Sequence, residues 1–157
     1  MGRVSEMGVS NGVGTSRQLS LEQQVYSSLI QKLENTLNDI ESYNINKNAK
    51  LMKNEYPITK SGYFGITGSS TSKRVIYTSN PILEANNFFN KISKGYISIK
   101  QSNNIKLAYL PDGSIITYRV YTKTSKTGSS PAVDINVKKS KVNSKIKYQR
   151  IHFEEEK

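Results

Sequence analysis

The chain has 157 residues, ten Tyr and four Phe but no Trp, no Cys, and a net charge of +11, a length that supports one good core and a smaller appendage. Without Cys there are no disulfides or thiolate metal sites, and no apolar run is long enough to form a membrane-spanning segment. One His and few carboxylates speak against a catalytic zinc or a two-metal site, so no metal and no cofactor is expected.

Residues 1–18 are rich in Gly and small polar side chains and read as a flexible leader. Ser20 and Gln23 form a capping-box pattern that opens a helix. Leu21, Val25, Leu29, Leu33, Leu37 and Ile40 give it one apolar stripe, a packing or pairing face, to about Tyr43. Asn44 to Asn54 is Asn- and Lys-rich and reads as a linker, which closes a helical segment over 19–56. Residues 57–72 hold Gly62, Gly65 and Gly68, a loop or weak strand whose spacing matches no phosphate loop. Arg74 to Tyr77 suits a short strand. Asn80-Pro81 then starts a second helix, with Ile82, Ala85, Phe88, Phe89 and Ile92 as its buried face and Gly95 as its stop.

From Tyr96 the apolar period changes to two. Ile97 and Ile99, then Ile105, Leu107 and Tyr109, alternate as strands do, and Pro111-Asp112-Gly113 turns the chain into a hairpin with 114–122. Strands over 132–137 and 146–153 follow, and Glu154 to Glu156 reads as an acidic tail. The expected fold is α+β, with N-terminal helices packed on one face of a twisted four- or five-stranded antiparallel sheet. The basic domain is expected over 57–157.

Charge is unevenly distributed. Between Pro57 and Phe153 stand sixteen Lys and Arg but only Glu84, Asp112 and Asp134, a formal charge of +13, whereas residues 1–56 balance six bases against six acids. Such a surface attracts polyanions, of which phosphodiesters are the commonest in cells. Strand alternation sorts the side chains into two faces. Ile116, Tyr118, Val120, Val133, Ile135, Val137, Ile151 and Phe153 make the core. Thr117, Arg119, Tyr121, Asp134, Asn136, Tyr148, Arg150 and His152, the chain's one histidine, make the other face.

That second set suits phosphodiester cleavage by a 2′-hydroxyl, which needs a base, an acid and cations for the phosphorane charge. His152 titrates in the right range, and Arg119 can clamp a phosphate bidentately. Asp134 can orient His152, serve as a second proton-transfer group, or simply pair with Arg119 across strands. Tyr121 and Tyr148 can stack bases. Thr122, Thr124, Ser129 and Ser130 can bond phosphate oxygens, and Arg150 and Lys94 add RNA contacts.

Three stretches carry a resemblance: Leu110 to Arg119 (LPDGSIITYR), Gly128 to Asn136 (GSSPAVDIN) and Ile146 to Phe153 (IKYQRIHF). Over about residues 74–153 the chain resembles the C-terminal toxin domains of bacterial polymorphic and contact-dependent inhibition systems. Many of those have the barnase, EndoU, colicin and RelE-like fold and are metal-independent ribonucleases, often cutting tRNA. The resemblance implies roles for Arg119, Thr122, Ser129, Asp134 and His152, although a single His departs from the EndoU pattern of two. It also implies delivery as part of a larger secreted effector that acts in the target-cell cytoplasm, and a cognate immunity protein, expected to be acidic. The alternatives are a basic nucleic-acid-binding module without catalysis and a metal-dependent DNase.

Overall fold

The computed structural model describes residues 20–124 and 128–156, and their side chains except those of 38–42, 123–124 and 128–129. The leader reading for 1–18 and the side chain of Ile40 lie outside the described residues. The chain divides into two compact units between Asp39 and Ile40.

Helix α1 (Leu21–Ser42) starts where the capping box places it. The Gln23 backbone N–H donates to Ser20 Oγ at 3.1 Å, and the Ser20 N–H donates to Gln23 Oε1 at 3.0 Å. Leu21, Val25, Leu29, Leu33 and Leu37 are all exposed. No helix among the described residues is long and apolar enough to cross a membrane.

The second unit opens with a short helix. The Asn- and Lys-rich stretch expected as a linker contains helix α2 (Ile45–Leu51), whose N-cap Asn44 accepts a hydrogen bond from Lys47 N. Ile45, Ala49 and Met52 point into the core, and the buried Asn48 amide donates to the carbonyls of Ile92 and Lys94. Polar composition concealed the helix because only three or four of its positions need to be apolar to anchor so short an element.

Strands β1 (Ile66–Ser70) and β2 (Lys73–Thr78) precede helix α3 (Pro81–Ile92). Strands β3 (Ser98–Gln101), β4 (Ile105–Tyr109), β5 (Ile115–Thr124), β6 (Gly128–Asn136) and β7 (Gln149–Glu155) follow it. All seven form one sheet in the order β1-β2-β7-β6-β5-β4-β3. Every neighbouring pair is antiparallel except β2 and β7, which run parallel. The α+β class is as expected, but the sheet is larger than four or five strands and is mixed. The parallel pair joins segments more than seventy residues apart in number (Lys73 opposite Arg150), a pairing that local periodicity cannot reveal.

Helix α3 lies across β5, β6 and β7 and against α2. Its N-cap Asn80 accepts from Leu83 N at 3.2 Å, Pro81 sits in the first turn, and Ala85, Phe88, Phe89 and Ile92 are buried. Ile82, expected on that face, is 58% exposed, because a first-turn residue here points past the core rather than into it. Gly95 ends the segment at φ +79°, where a Cβ would stand 2.6 Å from Cβ of Tyr43. Replacing the N-cap, Asn80→Ala, should cost about 1 kcal/mol in urea unfolding; a change of a few tenths would show that the side-chain cap contributes little.

Phe88 is the centre of the core. Its ring meets Tyr56 at 5.0 Å, Phe64 at 4.9 Å and Phe153 at 5.6 Å between centroids. Ile116, Tyr118, Val133, Ile135, Ile151 and Phe153 are buried as expected, while Val120 and Val137 are partly so. The buried Arg74 is also on this side. Its guanidinium donates to the carbonyls of Phe64, Gly65 and Thr71 and to Thr67 Oγ1, which ties β2 to the chain before β1. One of the sixteen cations of the basic segment is therefore structural.

Candidate active site on the open sheet face

Residues opposite one another across a ladder share a face of the sheet. The register aligns Thr117, Asp134, Arg150 and Lys73 in one row across β5, β6, β7 and β2. The next row holds Ile105, Arg119, Ala132, His152, Val75 and Ile66. Both rows lie on the face away from α3. Arg119 and His152 are thus two strand spacings apart, about 10 Å between backbones, with only the methyl group of Ala132 between them.

Asp134 is the hub of the first row. Its Oδ2 accepts from Arg119 Nε and from Arg150 Nη2, both at 3.0 Å, and its Oδ1 accepts from Arg150 Nε at 2.6 Å. The sequence left Asp134 three possible roles, and the geometry places it against the two arginines, with no hydrogen bond to His152 among the described residues. Held by their Nε atoms, both guanidinium groups keep Nη donors for an anion. Their side chains and that of Asp134 are between 20% and 33% exposed, so the cluster is half-shielded from water yet reachable. Asp134 also holds the Arg150 guanidinium more firmly protonated than usual.

His152 is positioned by a bulge. Between Arg119 and Thr122, β5 advances three residues while β6 advances two, from Ala132 to Ser130. The extra residue resets the alternation, so Thr122 takes the place in the register that strict periodicity assigns to Tyr121. Thr122 Oγ1 then lies 3.1 Å and Ser130 Oγ 3.2 Å from His152 Nδ1. Thr122 donates its own hydroxyl proton to the Ser130 carbonyl at 2.9 Å. With its proton so used, the Thr122 oxygen can accept from the imidazole, an arrangement that suits the tautomer with its proton on Nδ1 and its lone pair on Nε2. Thr122 and Ser130, expected as phosphate contacts, stand beside the ring.

The half-buried imidazole has its pKa pushed below the ordinary histidine value, first by burial and then by the Arg150 charge. Glu154 and Asp134 oppose the shift, and Lys73 adds to it. Near neutral pH the ring is therefore a neutral base. Glu154, read as part of a loose acidic tail, belongs to β7 and is partly covered on this same face. Lys73 joins the face through the parallel pairing, again beyond the reach of local sequence pattern.

The remaining expected RNA contacts divide. Tyr121 and Tyr148 are exposed, by 59% and 51%. Tyr121 is beside Asn104, and Tyr148 sits just before β7 with Lys138 Nζ 4.8 Å from its ring centre. Lys94 is not on the open face: it follows α3, and its Nζ lies 5.1 Å from the ring of Tyr43. The side chains of Ser129 and Thr124 lie outside the described residues. On β4 the alternating Ile105, Leu107 and Tyr109 share the open face with Arg119, while Ala108 is the strand's buried residue. The candidate site is bordered by an apolar band as well as by charge. No protein-family model, curated protein or solved structure matches the chain, so the chemistry of this face stands by itself.

Proposed function

We propose that the domain is a metal-independent endoribonuclease that cuts RNA by 2′-hydroxyl attack, with His152 as its proton-transfer group. The observation that carries this reading is the pairing of a neutral imidazole, its Nε2 free of protein partners among the described residues, with two guanidinium groups fixed on the same face by one carboxylate. Nε2 takes the 2′-OH proton as O2′ attacks phosphorus. Arg119 and Arg150 neutralise the extra charge on the phosphorane. The P–O5′ bond then breaks, and the imidazolium just formed is the acid available to O5′. The products are a 2′,3′-cyclic phosphate and a 5′-hydroxyl. Tyr121 or Tyr148 would stack a flanking base. The biological setting that fits is a toxin domain delivered as part of a larger effector, acting on tRNA or other cytoplasmic RNA and neutralised by an acidic immunity protein on this face.

Purified protein in EDTA should convert total RNA to fragments with cyclic-phosphate ends. Salt-dependent retention of RNA without new ends would favour the non-catalytic binding reading instead. The pH profile is a second test. A base with a depressed pKa is already deprotonated at neutrality, so kcat/KM should rise with pH through a midpoint below about 6.5 and be level by neutral pH. The same shift acts on stability. Below about 6.5 the unfolded chain takes up the proton before the folded chain does, so stability should fall as pH drops from there to the folded pKa. His152→Gln should remove that part of the slope, and an unchanged slope would contradict the shift.

A further inference from the structure

A second basic feature lies away from the open face. Helix α2, the 57–62 loop and the 142–146 segment enclose a groove of about 1120 Å³. Five lysines line it, Lys47, Lys50, Lys53, Lys60 and Lys145, and none of its lining residues is acidic. Its floor is apolar, with Ala49, Ile58 and Ile146. The walls are fastened to each other. Asn46 on α2 donates from Nδ2 to the Asn143 carbonyl at 3.0 Å and accepts from Lys145 N at 2.8 Å. The Gly62 carbonyl accepts from Lys147 N at 3.1 Å and from Gln149 Nε2 at 3.0 Å. Hydrogen bonds between different segments thus hold the groove open before any ligand arrives, which lowers the ordering cost of binding. Lys94, placed beside Lys47 on the Tyr43 ring, extends the positive field at one end.

We infer that this groove is a second RNA-backbone site, separate from the His152 face, that selects long or folded RNA over short oligonucleotides. The inference rests on the ribonuclease reading for its substrate, though the groove's attraction for a polyanion does not. An ammonium-rimmed channel with an apolar floor matches a nucleic-acid strand, whose phosphates face outward and whose sugar edges are less polar. The groove is also connected to the site by the chain itself. From Lys145 the backbone runs through Lys147 and Tyr148 to Arg150 and His152, seven steps along the chain that span at most about 25 Å. Gln149, whose side chain reaches Gly62 at the groove, stands three residues and about 10 Å along β7 from His152, a distance that a strand of several nucleotides or a folded RNA spans more readily than a dinucleotide. The charges that build this groove come largely from residues 47–53, outside the +13 segment, so the electrostatic footprint of the domain is wider than that segment.

Two pairs of substitutions from opposite walls test this, Lys50→Gln with Lys53→Gln, and Lys60→Gln with Lys145→Gln. Lys139→Gln with Lys141→Gln is a control of equal charge change outside the groove. Each groove pair should raise KM for tRNA about tenfold with kcat unchanged and leave dinucleotide cleavage unaltered, while the control changes neither. In a His152→Ala background, tRNA binding measured against KCl should show a log–log slope lower by about 1.4 for each groove pair, two single-strand phosphate contacts. Equal losses on tRNA and dinucleotide, or equal slopes for groove and control variants, would overturn the inference. A parent protein that binds tRNA but cuts nothing would end the ribonuclease reading, while the salt slopes still decide the groove.

Discussion

His152→Ala should reduce RNA cleavage by about a hundred- to ten-thousand-fold, the usual contribution of one positioned acid–base group, while RNA affinity is retained. The separation is expected because His152 is neutral in the folded protein near pH 7 and so contributes little to the electrostatic attraction that gives affinity. Thr122→Val refines the test. It removes an oxygen 3.1 Å from Nδ1 and should lower the rate less than His152→Ala does, because Ser130 still contacts the ring. Arg119→Lys keeps the charge but loses the fork fixed at Nε by Asp134, and should depress kcat more than it raises KM. Full cleavage by folded His152→Ala protein would falsify the assignment of His152, and with it the enzymatic reading of this face.

Phe88→Ala carries the largest expected effect on stability, a loss of about 3–5 kcal/mol for a phenylalanine removed from a packed core. The ring is fully buried and touches three others, and of these Phe153 follows His152 directly in β7. Against the 5–15 kcal/mol that holds typical domains together, such a loss takes up much of the margin. The melting temperature should fall by something on the order of 10–20 °C. Ile82→Ala on the same helix, at an exposed position, should stay within about 0.5 kcal/mol of the parent. Similar losses for the two variants would mean that α3 is not anchored through the aromatic cluster.

Where the chain is periodic, sequence and structure agree closely, with Ile82 the exception. The capping pair Ser20 and Gln23, the Asn80-Pro81 start, the Pro111-Asp112-Gly113 hairpin and the buried faces of β5, β6 and β7 are all local signals, and local geometry obeys them. Alternation alone puts Arg119, Asp134, Arg150 and His152 on one face, because strands that pair in register keep their parity. Three features escaped for physical reasons. A bulge shifts parity by one, which exchanged Tyr121 for Thr122 beside the imidazole. Parallel pairing between β2 and β7 brought in Lys73, a contact written in no neighbouring residue. Helix α2 is anchored by few apolar side chains, so its lysines looked like linker charge when they are the wall of a groove.

The parallel junction also governs when the molecule becomes complete. Strand β7 comes last in chain order among the described elements, yet it sits between β2 and β6 and supplies both Arg150 and His152. Without it the sheet is two separate pieces, β1-β2 and β6-β5-β4-β3, each with an unpaired inner edge. During synthesis, everything up to Asn136 can emerge from the ribosome with no histidine and no continuous sheet. Closure waits for β7, and contacts of such long sequence separation form late. Assembly of the domain and assembly of its candidate catalytic face are therefore the same event. A chain cleaved before β7 would have neither a continuous sheet nor this candidate face, and an unfolded chain would rebuild the face only when β7 slots back between β2 and β6.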